Sequence, residues 1–237
     1  MKIFNRTNTL SIIIPVFNEK DTIKEIVRQV EAVILPLEKE IIIVDDCSTD
    51  GTREILKGFN QEQYKITLRE ENGGKGAALR DGFLQATGEV IIMQDADLEY
   101  DPNDYPKILG PILKGRGDVV YGSRFVTSDP KRVLYFWHLL GNMFLTKLSN
   151  LLTGLTFSDM ETGYKAFRRE VVDSFKHKLK SKRFGIEPEI TAWVAKGRWR
   201  VYEVGISYYG RTYKEGKKIN WRDGLAAIWH IIKFNLF

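Results

Sequence analysis

The sequence predicts an α/β fold in which a mostly parallel sheet carries helices on both faces. Three observations lead to this prediction. Short apolar runs alternate with segments whose apolar residues have helical spacing, most of these runs end in polar residues, and 43% of the 237 residues are apolar, which suffices for a core. No repeat or linker interrupts the chain, so we expect a single domain over residues 1–237.

The first β-α-β unit occupies residues 10–44. LSIII at 10–14 and EIIIV at 40–44 are short apolar runs typical of buried strands. The segment between them, 20–36, predicts a helix because apolar side chains recur at helical spacing, namely Ile23, Ile26, Val27, Val30 and Ile34. A strand, a helix and a second strand in this order predict parallel pairing.

The same alternation continues to residue 122. Helices are predicted at 50–59, 74–87 and 103–115, the last one interrupted, and strands at 64–68, 89–93 and 118–122. Polar segments follow four of the strands: PVFNE (15–19), DDCSTDGT (45–52), QDADLE (94–99) and GSR (122–124). Because ligands of such sheets bind beyond the carboxyl ends of the strands, we expect these segments to converge on one crevice.

From about residue 130 the character of the chain changes. Residues 133–152 are dense in large apolar and aromatic side chains, which requires either a protein core or a lipid partner. Residues 186–197 predict a helix and 199–209 a strand. The tail at 220–237 predicts an amphipathic helix, with one face formed by Leu225, Ile228, Trp229 and Ile232.

Charge and cysteine content limit the classes of protein. The formal net charge is +5 and the pI is near 9.1, which suits phosphate-bearing ligands, an anionic membrane surface or nucleic acid. The single cysteine, Cys47, excludes an intramolecular disulfide and is consistent with a reducing cytoplasm. The N-terminal segment is too polar for a signal peptide, and no apolar run is long enough for a membrane span, so we expect neither.

The run IIMQDADLEYDP at 91–102 poses the main chemical question, because four carboxylates lie within seven residues: Asp95, Asp97, Glu99 and Asp101. Taken alone, this run is as typical of a solvated acidic turn as of a cation site. Its position after a predicted strand, beside other polar segments, favours a hard divalent cation such as Mg²⁺ or Mn²⁺, completed by phosphate oxygens and water. We expect Asp101 to cap the helix that follows Pro102.

Other known cation- and phosphate-binding motifs match the sequence poorly. A calcium-binding EF-hand loop starting at Asp95 needs glycine and glutamate where Tyr100 and Pro106 stand. The GGKGAA segment at 73–78 is no Walker loop, because Gly76 follows Lys75 in place of serine or threonine. A phosphoaspartate enzyme remains a weaker alternative. Lys75 itself lies at a Gly-rich helix start, where it either contacts an anion or is merely exposed.

Six motifs in order resemble family 2 glycosyltransferases of the GT-A fold, and more narrowly the polyprenyl-phosphate mannose and glucose synthases. The motifs are PVFNE (15–19), VDDCSTDGT (44–52), NGGKGAAL (72–79), QDADLE (94–99), GSR (122–124) and DMETGYKAFRR (159–169). The resemblance covers roughly residues 9–220. It implies a nucleotide-sugar-binding half at 9–125 and an acceptor half at 126–219, followed by the tail helix.

The resemblance also assigns roles. It places the nucleotide, bound with Mg²⁺ or Mn²⁺, against residues of the first half, namely Pro15, Phe17, Glu19, Val44, Asp46, Asp95, Ala96, Asp97 and Glu99. Asp97 and Glu99 would hold the metal. The predicted catalytic residues are Asp97 and three cations that would meet the diphosphate or the acceptor phosphate: Arg124, Arg211 and Lys217.

The resemblance implies transfer of a hexose, mannose in preference to glucose, from GDP-mannose or UDP-glucose to a polyprenyl phosphate. The anomeric carbon would be inverted. No nucleic acid partner is expected. The acceptor phosphate is already anionic, so no general base is required. A hydroxyl acceptor would need one, and Glu187 and Glu189 are the candidates. A nucleotide-sugar-binding protein without turnover is the alternative from another class.

The lipid acceptor implies a cytoplasmic protein that binds the membrane surface peripherally. Trp137, Phe144 and Leu148 in the apolar segment, together with the tail face, would lie in the interface near Lys131 and Arg132. The alternative is that these faces pack on the protein core. Two positions depart from the family pattern: Cys47 replaces a common glycine, and His138 stands near a position that is often basic.

Overall fold

The computed structural model describes residues 9–126, 132–133, 136–212 and 221–237, apart from the side chains of Trp221 and Arg222. The predicted mostly parallel sheet is confirmed. In the described part of the chain, seven strands form one sheet in the order β3-β2-β1-β4-β6-β5-β7. The strands are β1 (Thr9–Val16), β2 (Glu38–Asp45), β3 (Tyr64–Leu68), β4 (Val90–Met93), β5 (Val119–Ser123), β6 (Lys165–Arg168) and β7 (Val201–Gly205).

Strand β6 is the feature that the sequence did not predict. It runs antiparallel to β4 and to β5, whereas the neighbouring pairs β1-β2, β1-β4, β2-β3 and β5-β7 are parallel. The surrounding segment, 158–172, has mixed polarity and shows no strand pattern. Strand β6 itself has only four residues, and one of them is the fully buried Lys165. The antiparallel insertion leaves β4 and β5 parallel, so their carboxyl ends still face the same edge of the sheet.

Helices cover both faces of the sheet. The helices are α1 (Ile23–Ala32), α2 (Thr52–Lys57), α3 (Lys75–Gln85), α4 (Tyr105–Leu113), α5 (Phe136–Thr153), α6 (Arg169–Phe175), α7 (Ile186–Lys196) and α8 (Trp221–Leu236). One core cluster joins α1, α2 and α4 to one face of the sheet, and a second joins α3, α6 and α7 to the other. The two clusters use alternate strand residues, such as Ile12 and Ile13, as the period of a strand requires.

The two apolar helices α5 and α8 pack on each other and on α7. Each keeps large apolar side chains exposed, including Trp137 (75%) and Phe144 (57%) on α5 and Trp229 (57%) on α8. Leu148 is partly buried, and the buried side chains of α8 are Ala227 and Ile231. No helix of the described residues is long and apolar enough to cross a membrane.

Candidate functional site

A cavity of about 710 Å³ lies beyond the carboxyl ends of β1, β2 and β4. The polar segments predicted to converge do meet here. The predicted site residues that line the cavity are Pro15, Phe17, Glu19, Asp46, Asp95, Ala96, Asp97, Glu99, Arg124 and Arg211. Val44 is fully buried in the core behind them, and Lys217 lies outside the described residues.

The acidic run does not continue strand β4, which ends at Met93. Leu98 has φ 61°, a left-handed conformation that is rare for a large side chain and that turns the chain between Asp97 and Glu99. The four carboxylates therefore meet different partners. Asp101 caps the following 3₁₀ turn by accepting a hydrogen bond from the Asn103 amide (2.9 Å), as predicted.

Asp95 belongs to an ion network that crosses the floor of the cavity. Lys75, the first residue of α3, places Nζ 2.8 Å from Asp95 Oδ1 and 3.1 Å from Oε1 of Glu187 on α7. Burial opposes the charge of Lys75, but the negative charges of Asp95 and Glu187 outweigh it and raise the pKa of Lys75 well above its usual value. Lys75 is largely buried, with 17% of its side chain exposed, and its ion pairs join the end of β4 to α7.

Asp97 is a partly buried carboxylate with few partners among the described residues. Its Oδ1 accepts a hydrogen bond from the Glu99 amide at 3.2 Å. Burial, reinforced by the negative charges of Asp95 and Glu99, raises the pKa of Asp97 to about 7. A cation beside Asp97 would relieve this unfavourable charge.

A metal ion fits this arrangement only if a substrate completes its coordination. Among the described residues, no group of three or more His, Cys, Asp or Glu side chains is placed to hold a metal. Glu99 already accepts hydrogen bonds from the Tyr208 hydroxyl (2.8 Å) and the Arg211 amide (2.6 Å). One or two carboxylates completed by phosphate oxygens and water is the usual way in which proteins bind Mg²⁺, and Asp97 is the better placed ligand.

Arg211 connects the segment after β1 with the acidic run. Its guanidinium lies 3.1 Å from Oε2 of Glu19, which follows β1, and its amide binds Glu99. Glu19 is buried, so this pair is shielded from water. Arg211 can meet a phosphate in this geometry only by sharing its guanidinium with Glu19.

Asp46 organises the Gly-rich turn before α3. Its carboxylate accepts hydrogen bonds from the amides of Gly73 (2.9 Å) and Gly74 (2.6 Å) and lies 3.0 Å from Nε of Arg69. Gly74 has φ 81°, and a Cβ there would collide with the Lys182 carbonyl, so only glycine suits this position. This turn delivers Lys75 to the cavity floor.

Arg124 is held by a carboxylate that sequence reasoning missed. Its Nε and Nη2 bind the two oxygens of Asp159 at 2.6 and 2.7 Å, a bidentate pair that is largely buried. The Arg124 guanidinium also lies 5.2 Å from the ring centre of Tyr208. Asp159 and the neighbouring Glu161 belong to the DMETGYKAFRR motif, so the signal was present, but no pattern revealed their partners.

Cys47 also has a left-handed backbone, with φ 64°. Its Sγ donates a weak hydrogen bond to the Glu70 carbonyl (3.4 Å). A non-glycine residue in this region costs about 1–2 kcal/mol, part of which glycine returns through its larger entropy when unfolded. The common glycine of this family loop therefore matches the conformation that the structure shows.

We expect Cys47→Gly to stabilise the protein by about 1 kcal/mol in urea denaturation, because the left-handed strain is removed. Cys47→Ser is the control, since it removes the thiol but keeps the side-chain clash with the backbone. If the glycine variant is no more stable than the serine variant, the strain argument is wrong.

Comparison with known proteins places this geometry in a family. Residues 11–175 match the family described as glycosyl transferase family 2. The chain is 30% identical over 239 residues to the dolichol-phosphate mannosyltransferase of Pyrococcus furiosus, which covers 95% of this chain and 64% of that protein. It is 33% identical over 174 residues to an undecaprenyl-phosphate 4-deoxy-4-formamido-L-arabinose transferase of Pseudomonas fluorescens, covering 70% of this chain and 48% of that one. The chain thus spans less than two thirds of either relative.

Two further comparisons concern length and fold. An uncharacterized protein of Methanocaldococcus jannaschii is 28% identical over 229 residues, which is 95% of this chain and 92% of that protein. The glucosyl-3-phosphoglycerate synthase of Mycobacterium tuberculosis, solved with Mn²⁺, UDP and phosphoglyceric acid, has a TM-score of 0.69 at 21% identity and covers 97% of this chain and 79% of its own. The fold is therefore GT-A-like. The match over residues 11–175 shows that the chain belongs to glycosyl transferase family 2.

Proposed function

We propose that this protein transfers a hexose, with inversion, from a nucleoside-diphosphate sugar to a polyprenyl phosphate, using Mg²⁺ or Mn²⁺ at Asp97. One observation carries the proposal. The cavity that contains the acidic run and its cations is also walled by α5 and α8, and both helices expose large apolar residues, of which Trp137 lies at the cavity itself. An acceptor with an anionic head and a long apolar tail suits such a site.

The donor half would hold the nucleotide. Pro15, Phe17 and Ala96 offer apolar contact for the base and ribose, and Glu19 offers acceptor oxygens. The metal at Asp97, with Glu99 as a second ligand, would neutralise charge that develops on the leaving diphosphate. Related structures of the glucosyl-3-phosphoglycerate synthase contain UDP with Mn²⁺ or Mg²⁺, which supports this arrangement.

The acceptor half would receive the lipid phosphate. Arg124 and Arg211 bring positive charge to the cavity, and His138 of α5 lines the same wall. Lys217 is proposed to join them. Two relatives named for polyprenyl-phosphate sugar transfer support a lipid acceptor, and the mannosyltransferase among them favours mannose.

A polyprenyl phosphate can attack the anomeric carbon without a general base. Glu189 is a poor base in any case, because its two oxygens accept hydrogen bonds from the amides of Lys180 (2.8 Å) and Ser181 (2.7 Å) and it is fully buried. Glu187 lines the cavity and is paired with Lys75. The two acceptor classes therefore differ in what they require of Glu187.

We expect Glu187→Gln to keep at least about a tenth of the wild-type transfer rate, because the amide preserves shape and no proton has to be removed. Loss of a true general base would cost about 10²–10⁴-fold. Initial rates with a labelled donor and saturating polyprenyl phosphate measure this. A fall in that larger range, with the fold intact, would favour the alternative of a hydroxyl acceptor.

The proposed lipid acceptor also gives the exposed apolar faces of α5 and α8 a purpose. We propose that they rest in the headgroup region of a membrane, with the basic residues nearby facing anionic lipid. Lys147 on α5 is exposed, as is Arg132, which precedes α5 in the chain. This arrangement supports the peripheral membrane location that we propose, on the cytoplasmic side as expected from the sequence.

We expect the protein to co-sediment with anionic liposomes at low salt. Trp137→Ser and Trp229→Ser should each weaken binding about 10-fold or more, because each removes a large apolar side chain from the interface. Ile34→Ser is the matched control, since Ile34 is 94% exposed but lies after α1, in the donor half. Wild-type protein that stays in the supernatant would exclude this surface as a membrane contact.

The direct test of the function uses purified protein, labelled GDP-mannose or UDP-glucose, polyprenyl phosphate and Mn²⁺. The expected product carries the label into an organic phase and releases it in mild acid. Nucleotide binding without product for any donor would instead favour a binding protein that lacks turnover.

A further inference from the structure

The loop that joins α5 to β6 passes directly over the ion pair of the donor half. Gly163 in this loop comes so close to Asp95 that a Cβ would overlap its carboxylate, and the Gly163 amide donates to the Tyr100 hydroxyl at 2.9 Å. Glu161 lies two residues earlier and lines the cavity. The fold thus places this loop against Asp95 and gives Glu161 a position in the wall of the same cavity.

Two carboxyl oxygens in this region have no hydrogen-bond partner among the described residues. They are Oε1 of Glu161 and Oε2 of Glu187, and both atoms are buried. The other oxygen of Glu187 faces Lys75 at 3.1 Å. Leaving a buried polar atom unpaired is costly, so two such atoms in the wall of one cavity indicate a ligand that supplies hydrogen bonds.

The charges around Glu161 restrict the chemistry of that ligand. Burial, reinforced by the negative charge of Glu187, raises the pKa of Glu161 to about 8, against the opposing charges of Lys165 and Arg124. The neutral carboxyl group that this favours both donates and accepts a hydrogen bond, as a hydroxyl group does. The carboxylate of Glu187 only accepts, which suits a hydroxyl and repels a phosphate.

We propose that Glu161, together with Glu187, binds hydroxyl groups of the transferred hexose and thereby selects the sugar. This inference rests on the proposed function, since it assumes a nucleoside-diphosphate sugar in the cavity. The diphosphate lies with Asp97 and the metal, and the sugar extends over Lys75 towards the two glutamates. Glu161 is a specificity-determining residue in this arrangement, and the acceptor phosphate meets the arginines instead.

Calorimetric binding separates the sugar from the nucleotide. Glu161→Ala should weaken binding of the preferred sugar nucleotide, GDP-mannose or UDP-glucose, about 5- to 100-fold while leaving GDP or UDP unaffected. Glu161→Gln should recover much of the loss, because an amide also donates and accepts. Glu170→Ala, an exposed glutamate on α6, is the control for the substitution itself. Equal losses for sugar nucleotide and free diphosphate would overturn the inference.

Monodeoxy analogues of the preferred donor identify the hydroxyl group. The penalty of Glu161→Ala should vanish for the analogue that lacks the hydroxyl bound by Glu161 and persist for the others. A penalty that is the same for every analogue, or wild-type affinity of Glu161→Ala for all donors, contradicts the proposal. If the Glu161→Ala penalty depends on the analogue as expected, but the wild-type protein transfers sugar to no polyprenyl phosphate, only the proposed function is contradicted.

Discussion

Asp97→Asn is expected to lower the rate of sugar transfer about 10²–10³-fold, the effect typical of losing one electrostatic contact to a developing charge. The asparagine keeps the shape of the side chain but gives up the charge that would hold the metal beside the leaving diphosphate. Stability should not fall, because burial and the charges of Asp95 and Glu99 already disfavour an ionised group here. The variant should also respond far less to added Mn²⁺.

Asp101→Asn is the matched control for this experiment. It makes the same change four residues later in the same acidic run, where the side chain caps a 3₁₀ turn, and asparagine caps as well as aspartate. Its transfer rate should stay close to that of the wild type. If both variants lose activity equally, or if Asp97→Asn keeps full activity and metal response, Asp97 is not the metal ligand.

Lys75→Met is expected to destabilise the protein by about 3–5 kcal/mol, the usual cost of removing one partner from a buried ion pair. Asp95 and Glu187 would be left in the cavity floor with negative charge that Lys75 now offsets. Urea denaturation without nucleotide or metal measures the loss. Lys65→Met is the control, because 44% of the Lys65 side chain is exposed and its pair with Glu40 should contribute under about 1 kcal/mol.

A triple variant tests whether charge, rather than packing, causes this loss. Lys75→Met combined with Asp95→Asn and Glu187→Gln removes the whole network, and replacing a complete buried ion network by neutral groups is often nearly neutral. The triple variant should therefore recover at least half of the lost stability. A triple variant less stable than Lys75→Met would show that the carboxylates are held by something other than Lys75.

Much of the fold follows from local sequence patterns. The apolar runs at 10–14 and 40–44 became β1 and β2, and the helical spacing from Ile23 to Val30 became α1. The strands are predictable because both of their faces are buried, which requires a continuous apolar run. The helix is predictable because it buries one face, and the spacing of its apolar residues marks that face. The four-residue β6 and the short α6 were not predicted, since neither is long enough to show a period.

The candidate site was predictable in position but not in its pairing. The polar segments after the strands are visible in the sequence, and parallel strands bring such segments to one edge. The resemblance assigned Asp97 and Glu99 together to a metal, but the chain makes a left-handed turn at Leu98, Asp95 pairs with Lys75, and Glu99 accepts a hydrogen bond from Tyr208. No local pattern encodes these partners.

The amino-acid sequence by itself indicated the family through its motifs, the order of the strands and helices apart from β6 and α6, and the edge of the sheet where the polar segments meet. Tertiary packing established which charge faces which: Lys75 joins Glu187, Arg124 joins Asp159, and one oxygen of Glu161 has no hydrogen-bond partner within the part of the chain that the structure describes. The physical reason is distance along the chain. Strand and helix periods arise between near neighbours, whereas an ion pair in a cavity depends on how remote segments are brought together and on the water they exclude.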